Sequence, residues 1–309
     1  MKKEEHEVLF VGALTLDTLY HIDDFSRGPG KYIAKEAMTM ASGMATNAAF
    51  ASMRLGGKSA LWASVGSDAK GKELISEIKS EGIDCTHIRC VEDGRSANAV
   101  IVVDGEGERW VVVDYDPYTQ SEPSISESPP VENFGAVMVD VRWPGAAKIA
   151  LDRARASGRI AILDADVAAP EVLKDLSSHA THVVASADGA EILCGLTNPR
   201  EAVLKIAQYY GCFVCVTNGE KGTFWTEPEQ LEVRHTPAPI VDAVDTNGAG
   251  DVFHGAFALA MAEGKSEERA IQFASCAAAL KCTVFGGRLG TPNRQDTLQF
   301  LKEIYNEEY

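Results

Sequence analysis

Long hydrophobic runs are missing from this chain. No stretch of its 309 residues approaches the roughly 18 uninterrupted apolar residues of a membrane-spanning helix. The first residues, MKKEEHEVLF, are basic at the start but lack the apolar centre of a secretory signal, so a cytoplasmic protein is expected. Positive charge is also scarce: 29 Lys and Arg against 45 Asp and Glu leave a formal net charge of -16, a field that repels nucleic acid and anionic membrane alike. Neither is expected as a partner, and any anionic ligand must be held by local positive groups. The seven cysteines, an odd number scattered along the chain, form no disulfide framework. Cys212 and Cys215 have CxxC spacing, but residues three apart on a strand face opposite sides, so they read as core. His179 and His182 lack a second ligand cluster and read as surface histidines.

The composition is 45% hydrophobic, enough for one large core or two small ones. Short β-branched runs recur at VLFVGA (8–13), AVMVDV (136–141), IAILDAD (160–166), THVVAS (181–186) and CFVCVT (212–217). Helical stretches follow most of them, among them AKGKELISEIKSEG, GAAKIALDRARASG and PREAVLKIAQYYG, each closing on a glycine suited to the position past a helix end. That alternation predicts an α/β fold with a mostly parallel sheet and helices on both faces. AVIVVDGEGERWVVVD (99–114) breaks it, reading as a hairpin around Asp104 and Gly105, and KYIAKEAMTMA (31–41) reads as another extended piece. These pieces predict a small β lid over 21–41 and 97–115, set on a core of 1–20, 42–96 and 116–309.

In VDAVDTNGAGDVFHGAFALAMAEG (241–264), Gly248, Ala249 and Gly250 lie between Asp245 and Asp251. Val252, Phe253, Ala256, Phe257, Leu259 and Ala260 then repeat with the helical period, and Gly264 is a stop. A glycine turn entering a helix presents N–H groups without intrahelical partners at the positive end of the macrodipole, a place for a phosphate or a developing oxyanion. Asp251 is there either a helix cap or a base that takes a proton from an attacking hydroxyl while the amides hold the transferring charge. Competing motifs are absent. No G-x-x-x-x-G-K-[ST] occurs, Phe253 stands where a G-x-G-x-x-G from Gly248 needs its third glycine, and zinc spacings, G-x-S-x-G and H-R-D sets are missing.

DTNGAGD, from Asp245 to Asp251, resembles the C-terminal signature of the PfkB, or ribokinase-like, carbohydrate kinases. ASGMATNAAFASMRLGG (41–57) is similar to a second, weaker signature of that family, and the order of elements matches nearly end to end. The resemblance implies a doubly wound α/β core with a β lid, and ATP-dependent, Mg2+-assisted phosphorylation of a sugar hydroxyl. By position it implies Asp251 as the base, the amides of Gly248, Ala249 and Gly250 as the anion hole, and Asp17, Gly43 and Asn47 in the sugar pocket. VTNGEKG (216–222) is similar to the nucleotide loop, which implies Thr217, Gly219 and Gly222 beside ATP, with Asp245 counted on the same side. The alternatives are a turn cap for Asp17, a helix-start cap for Asn47 and a simple turn for VTNGEKG. One departure concerns the metal. The positions of the family's Asn-x-x-Glu become Ser186 and Gly189, so Mg2+ is expected on ATP phosphates, water and Asp188 or Glu191. Some relatives also respond to a monovalent cation. A homodimer is implied too, paired through Ala99, Ile101, Val103, Val111 and Val113.

GKY (30–32), DVRW (140–143), DVFHGA (251–256) and AALKCTVFGGRLGTP (278–292) are most similar to the sulfofructose kinase branch of the family. There the residues matching Lys31 and Arg142 hold the sulfonate, Arg by its planar fork and Lys as a point charge. Asp114 aligns with a sulfonate-binding asparagine, and its charge would repel the group. Plain alternatives are a solvated Lys31 and an ion-paired Arg142. The expected reaction is transfer to a primary hydroxyl of a ketohexose-like sugar, sulfofructose among them, or of an acidic sugar such as 2-keto-3-deoxygluconate. A non-catalytic sugar or nucleotide sensor follows if the missing metal-orienting Glu abolishes turnover, and Lys31 and Arg142 argue against a nucleoside kinase.

Overall fold

Val8, Leu9, Phe10 and Val11 are all fully buried. They divide by parity: Val8 and Phe10 join one apolar core, Leu9 and Val11 another. A strand with apolar side chains on both faces belongs between two helix layers. A computed structural model, describing residues 7–25, 28–105, 108–306 and 309, has that arrangement. The remaining positions of the expected core and lid segments lie outside the described residues.

In chain order the strands are β1 Glu7–Gly12, β2 Thr15–His21, β3 Glu36–Ser42, β4 Lys58–Gly66, β5 Arg89–Val91, β6 Asn98–Val103 and β7 Arg109–Asp114. They continue with β8 Ala136–Val139, β9 Ile160–Ala165, β10 His182–Ser186, β11 Phe213–Thr217, β12 Thr223–Thr226 and β13 Arg234–Thr236. The helices are α1 Met44–Arg54, α2 Ala69–Ser80, α3 Pro144–Ala156, α4 Pro170–His179, α5 Ala187–Cys194, α6 Pro199–Tyr210, α7 Ala249–Ala262, α8 Glu267–Cys282 and α9 Arg294–Tyr305.

The main sheet runs β13-β12-β11-β10-β9-β8-β1-β4-β5. Pairing is parallel from β11 to β5 and antiparallel at β12 and β13. Helices α1, α2, α7, α8 and α9 pack on one face, α3 to α6 on the other. Helix starts follow their side chains: Asp68, Ser186, Asn198, Ser266 and Asn293 each accept a backbone N–H from the first turn. Cys212 and Cys215 are buried in different cores, as strand parity requires. His179 ends α4, whereas His182 is a buried member of β10 against Phe213 and Phe257. The surface reading therefore fails for His182.

A second sheet, β3-β2-β6-β7, forms the lid. β2 belongs to it, so residues 15–20 lie in the lid sheet and not in the core segment that the sequence assigns to 1–20. Within the 31–41 piece, pairing begins only at Glu36. The hairpin forms as expected, with Ala99 opposite Val113 and Ile101 opposite Val111. The residues expected as a subunit face, Ala99, Ile101, Val103, Val111 and Val113, share one side of the strands; Ala99, Ile101, Val111 and Val113 line a cavity there, with Val111 and Val113 still 49% and 41% exposed. The outward side carries Tyr20, Val100, Trp110 and Val112, the last two 52% and 71% exposed.

Candidate active site

The main sheet reverses its winding between β1 and β8, because β4 follows on one side of β1 and β8 on the other. The crevice outside the carboxyl ends of strands at such a point is where ligands bind in α/β sheets. Asp140, just past β8, spans it. Its Oδ2 accepts the Ala13 N–H at 2.8 Å and the Ala45 N–H at 3.0 Å, and Oδ1 accepts the Arg142 N–H at 2.8 Å. One buried carboxylate thus fixes the end of β1, the start of α1 and the backbone of Arg142. The approach demands glycine at 12, where a Cβ would lie 2.1 Å from Asp140 Oδ1.

Lid and crevice enclose a cavity of about 330 Å³. On the lid side, Asp17 and Arg109 project inward from β2 and β7, and Tyr115 follows β7. Asp17 is buried and accepts from Thr15 Oγ1 at 2.6 Å. Burial raises its pKa, and hydrogen bonds from Thr15 and Ser42 oppose the rise. The Tyr115 hydroxyl is pushed up to about 12 by burial and by the charge of Asp140.

Opposite lies the 248–251 turn. Gly248 precedes α7 in the left-handed conformation, φ 77°, and no side chain caps this helix. Asp251 is therefore not a cap. Its Oδ2 accepts Asn47 Nδ2 at 2.7 Å, and Asn47 Oδ1 accepts Ser42 Oγ at 3.3 Å. Gly43, φ 111°, starts α1, and a Cβ there would lie 2.4 Å from Ala13 O. Burial first, then the charge of Asp164, lifts the Asp251 carboxyl to about 7, with the Asn47 hydrogen bond pulling the other way. A carboxylate poised near neutrality beside two glycines at a helix mouth suits proton abstraction next to an anion.

Of the catalytic and binding residues assigned from the sequence, Asp17, Gly43, Asn47, Arg142, Thr217, Gly248, Gly250 and Asp251 line this one cavity. The other residues given such a role do not. Ala249 does not line the cavity and donates its N–H to Thr246 O at 3.2 Å. Asp114 is on the outward parity of β7 and faces Arg95 at 3.5 Å. Lys31 is exposed in the connection between β2 and β3. Asp245 is a buried clamp: it pairs with Lys281 at 3.0 Å and accepts the N–H groups of Asn247, Gly286 and Gly287. Gly219 and Gly222 shape the turn after β11, and a Cβ at 222 would meet Thr236 O at 2.3 Å. Asp188 and Glu191 are exposed on α5, away from the cavity. Asp164, Asp166 and Arg109 line the cavity without having been assigned from the sequence. The acids were legible only as the close of the IAILDAD run.

Residues 5–294 match the family model described as pfkB family carbohydrate kinase. A ribokinase from Haemophilus influenzae is 29% identical over 308 residues, covering 94% of this chain and 97% of that protein. The crystal structure of a candidate ribokinase from Agrobacterium tumefaciens superposes with a TM-score of 0.93 at 41% identity, over 98% of this chain and 99% of that one. Arabidopsis thaliana ribokinase, solved with ribose and ATP, gives a TM-score of 0.81 at 25% identity, over 96% of this chain and 98% of that one.

Proposed function

The chain belongs to the pfkB family of carbohydrate kinases, and from that membership we propose that it transfers the γ-phosphoryl group of ATP to a primary hydroxyl of a ketohexose-like sugar bearing an anionic substituent. One observation carries the chemistry: Asn47 Nδ2 holds Asp251 Oδ2 at 2.7 Å beside Gly248 and Gly250. In this reading the sugar hydroxyl gives its proton to Asp251 as its oxygen bonds to phosphorus, the bond to the ADP oxygen breaks, and the turn and the dipole of α7 hold the transferring charge. Asp17 and Asn47 orient sugar hydroxyls, and Thr217 marks the nucleotide end. The Arabidopsis relative, solved with ribose and ATP, supports ATP as donor, and a cytoplasmic location follows from its supply. The carboxylates of Asp164 and Asp166 are oxygen donors of the kind Mg2+ takes, and Mg2+ when bound neutralises charge on the phosphates.

Two guanidinium groups in the cavity, Arg109 and Arg142, support an anionic substituent, since each offers a planar fork to a sulfonate or carboxylate. Sulfofructose and 2-keto-3-deoxygluconate are the two candidates. The outward face of the lid, with Trp110 and Val112 exposed, supports pairing of two copies there.

The test is ADP release from Mg-ATP with sulfofructose, fructose 6-phosphate, fructose, 2-keto-3-deoxygluconate and ribose, in K+ and in tetramethylammonium, with Asp251→Asn as control. Turnover confined to an anionic sugar is the expected result. Turnover on neutral sugars alone removes the anion reading. ATP binding without turnover on any sugar turns the protein into a sensor.

A further inference from the structure

The strand order lays out the cavity floor as a row. Thr217 ends β11, Ser186 ends β10, Asp164 and Asp166 mark the end of β9, and Arg142 follows β8. On the kinase reading, on which this inference rests, the row runs from nucleotide to sugar, and its middle faces the turn of Gly248, Gly250 and Asp251.

Asp164 is only 1% exposed, yet neither carboxylate oxygen has a hydrogen-bond partner. His254 Nε2 lies 3.3 Å from Oδ1, and the same nitrogen faces Val184 O at 3.2 Å, which leaves Oδ2 uncommitted. A buried carboxylate without donors is costly unless a positive group meets it. Asp166 lines the same cavity and is steadied by Ser186 Oγ at 2.8 Å. A Cβ added to Gly189 would lie 2.0 Å from Ala165 O. No side chain can therefore reach in from position 189 of α5, and the backbone filling that space is the segment carrying Asp164 and Asp166.

We propose that Asp164 and Asp166 supply the protein carboxylates for the divalent cation of this site, in place of an acid from α5. Their oxygens are the hard donors that Mg2+ and Mn2+ take, and a soft metal has no ligand here. Among the described residues no group of three or more ligating side chains forms a closed metal site. This fits a cation that keeps water and phosphate for most of its shell.

Mn2+ is the probe. Free Mn2+ is followed by electron paramagnetic resonance during titration of the full-length protein, with and without a non-hydrolysable ATP analogue. Asp166→Asn and Asp164→Asn are expected to weaken Mn2+ binding by on the order of 10- to 100-fold, with metal-free analogue affinity retained. Asp188→Asn and Glu191→Gln are expected to change nothing. Asp166 sits at the cavity surface, so its variant keeps the test informative if Asp164→Asn folds poorly. Unchanged Mn2+ affinity in Asp166→Asn, or a loss in either α5 variant, overturns the inference while leaving the kinase reading intact. Failure to bind the analogue at all counts against the kinase reading, and the nucleotide-free Mn2+ titration then decides the inference alone.

Discussion

Asn47 and Asp251 stand 204 positions apart in sequence and 2.7 Å apart in space, amide to carboxylate. The contact ties α1 to the first turn of α7 and favours the ionised form of the acid. Asp251→Asn is expected to lower kcat by about 10²- to 10⁴-fold, the contribution of a general base, with ATP affinity retained by calorimetry. Asn47→Ala is expected to move the ascending limb of the kcat profile to higher pH, because the carboxylate loses a donor that stabilises its charge. A limb that stays in place, or moves down, would contradict the role given to Asn47.

The same acid sets a pH dependence of stability. Its value in the folded, ligand-free protein, about 7, is above its ordinary 3.8. Between those values the folded state holds a proton that the unfolded chain has released, so stability falls as pH rises through the window. Thermal midpoints from pH 4.5 to 7.5 are expected to decline more steeply in the natural protein than in Asp251→Asn. Equal slopes would assign the pH response elsewhere.

Asp245 answers to the opposite sign. Burial works against its charge, but the N–H of Gly287 and the Lys281 ammonium outweigh it and hold the pKa below the usual range. The stability it contributes is present above the unfolded value and lost as pH falls through the folded one. Asp245→Ala leaves Lys281 buried without its partner and is expected to cost about 3 to 5 kcal/mol in denaturant unfolding. A cost under about 1 kcal/mol would show that water reaches Lys281.

Arg142→Gln and Arg109→Gln are expected to raise KM for an anionic sugar by about 10- to 100-fold each, the loss of a charged hydrogen bond, with little change for a neutral analogue. Lys31→Gln is expected to be silent. An effect on both sugars alike would make the arginines structural.

Gly189→Ala puts a methyl 2.0 Å from Ala165 O and is expected to destabilise the fold by about 1 to 3 kcal/mol through overpacking. A neutral result would show that β9 and α5 have room to part.

Much of this is legible in the sequence. The apolar period after Gly250 marks α7 and the glycines mark its mouth, because both signals are local. Alternating runs mark the sheet for the same reason. That Ala249 does not line the cavity is not legible, since it depends on how the turn folds. Parity along β7 could have turned Asp114 outward by counting from Val113. Lys31 and Arg109 compete for one role, and only the path between β2 and β3 decides between them. Asp164 reads as an ordinary strand end until α7 brings His254 to 3.3 Å from its carboxylate.

Asp140 takes amides from Ala13 and Ala45, 127 and 95 positions away, and Arg288 donates to Ala41 O across 247 positions. During synthesis, then, the pocket cannot be complete until segments from both ends of the chain have emerged. Contacts of such sequence separation form slowly, so a shortened or half-folded molecule is expected to be inert rather than weakly active. Competence requires all of these distant segments to be docked together.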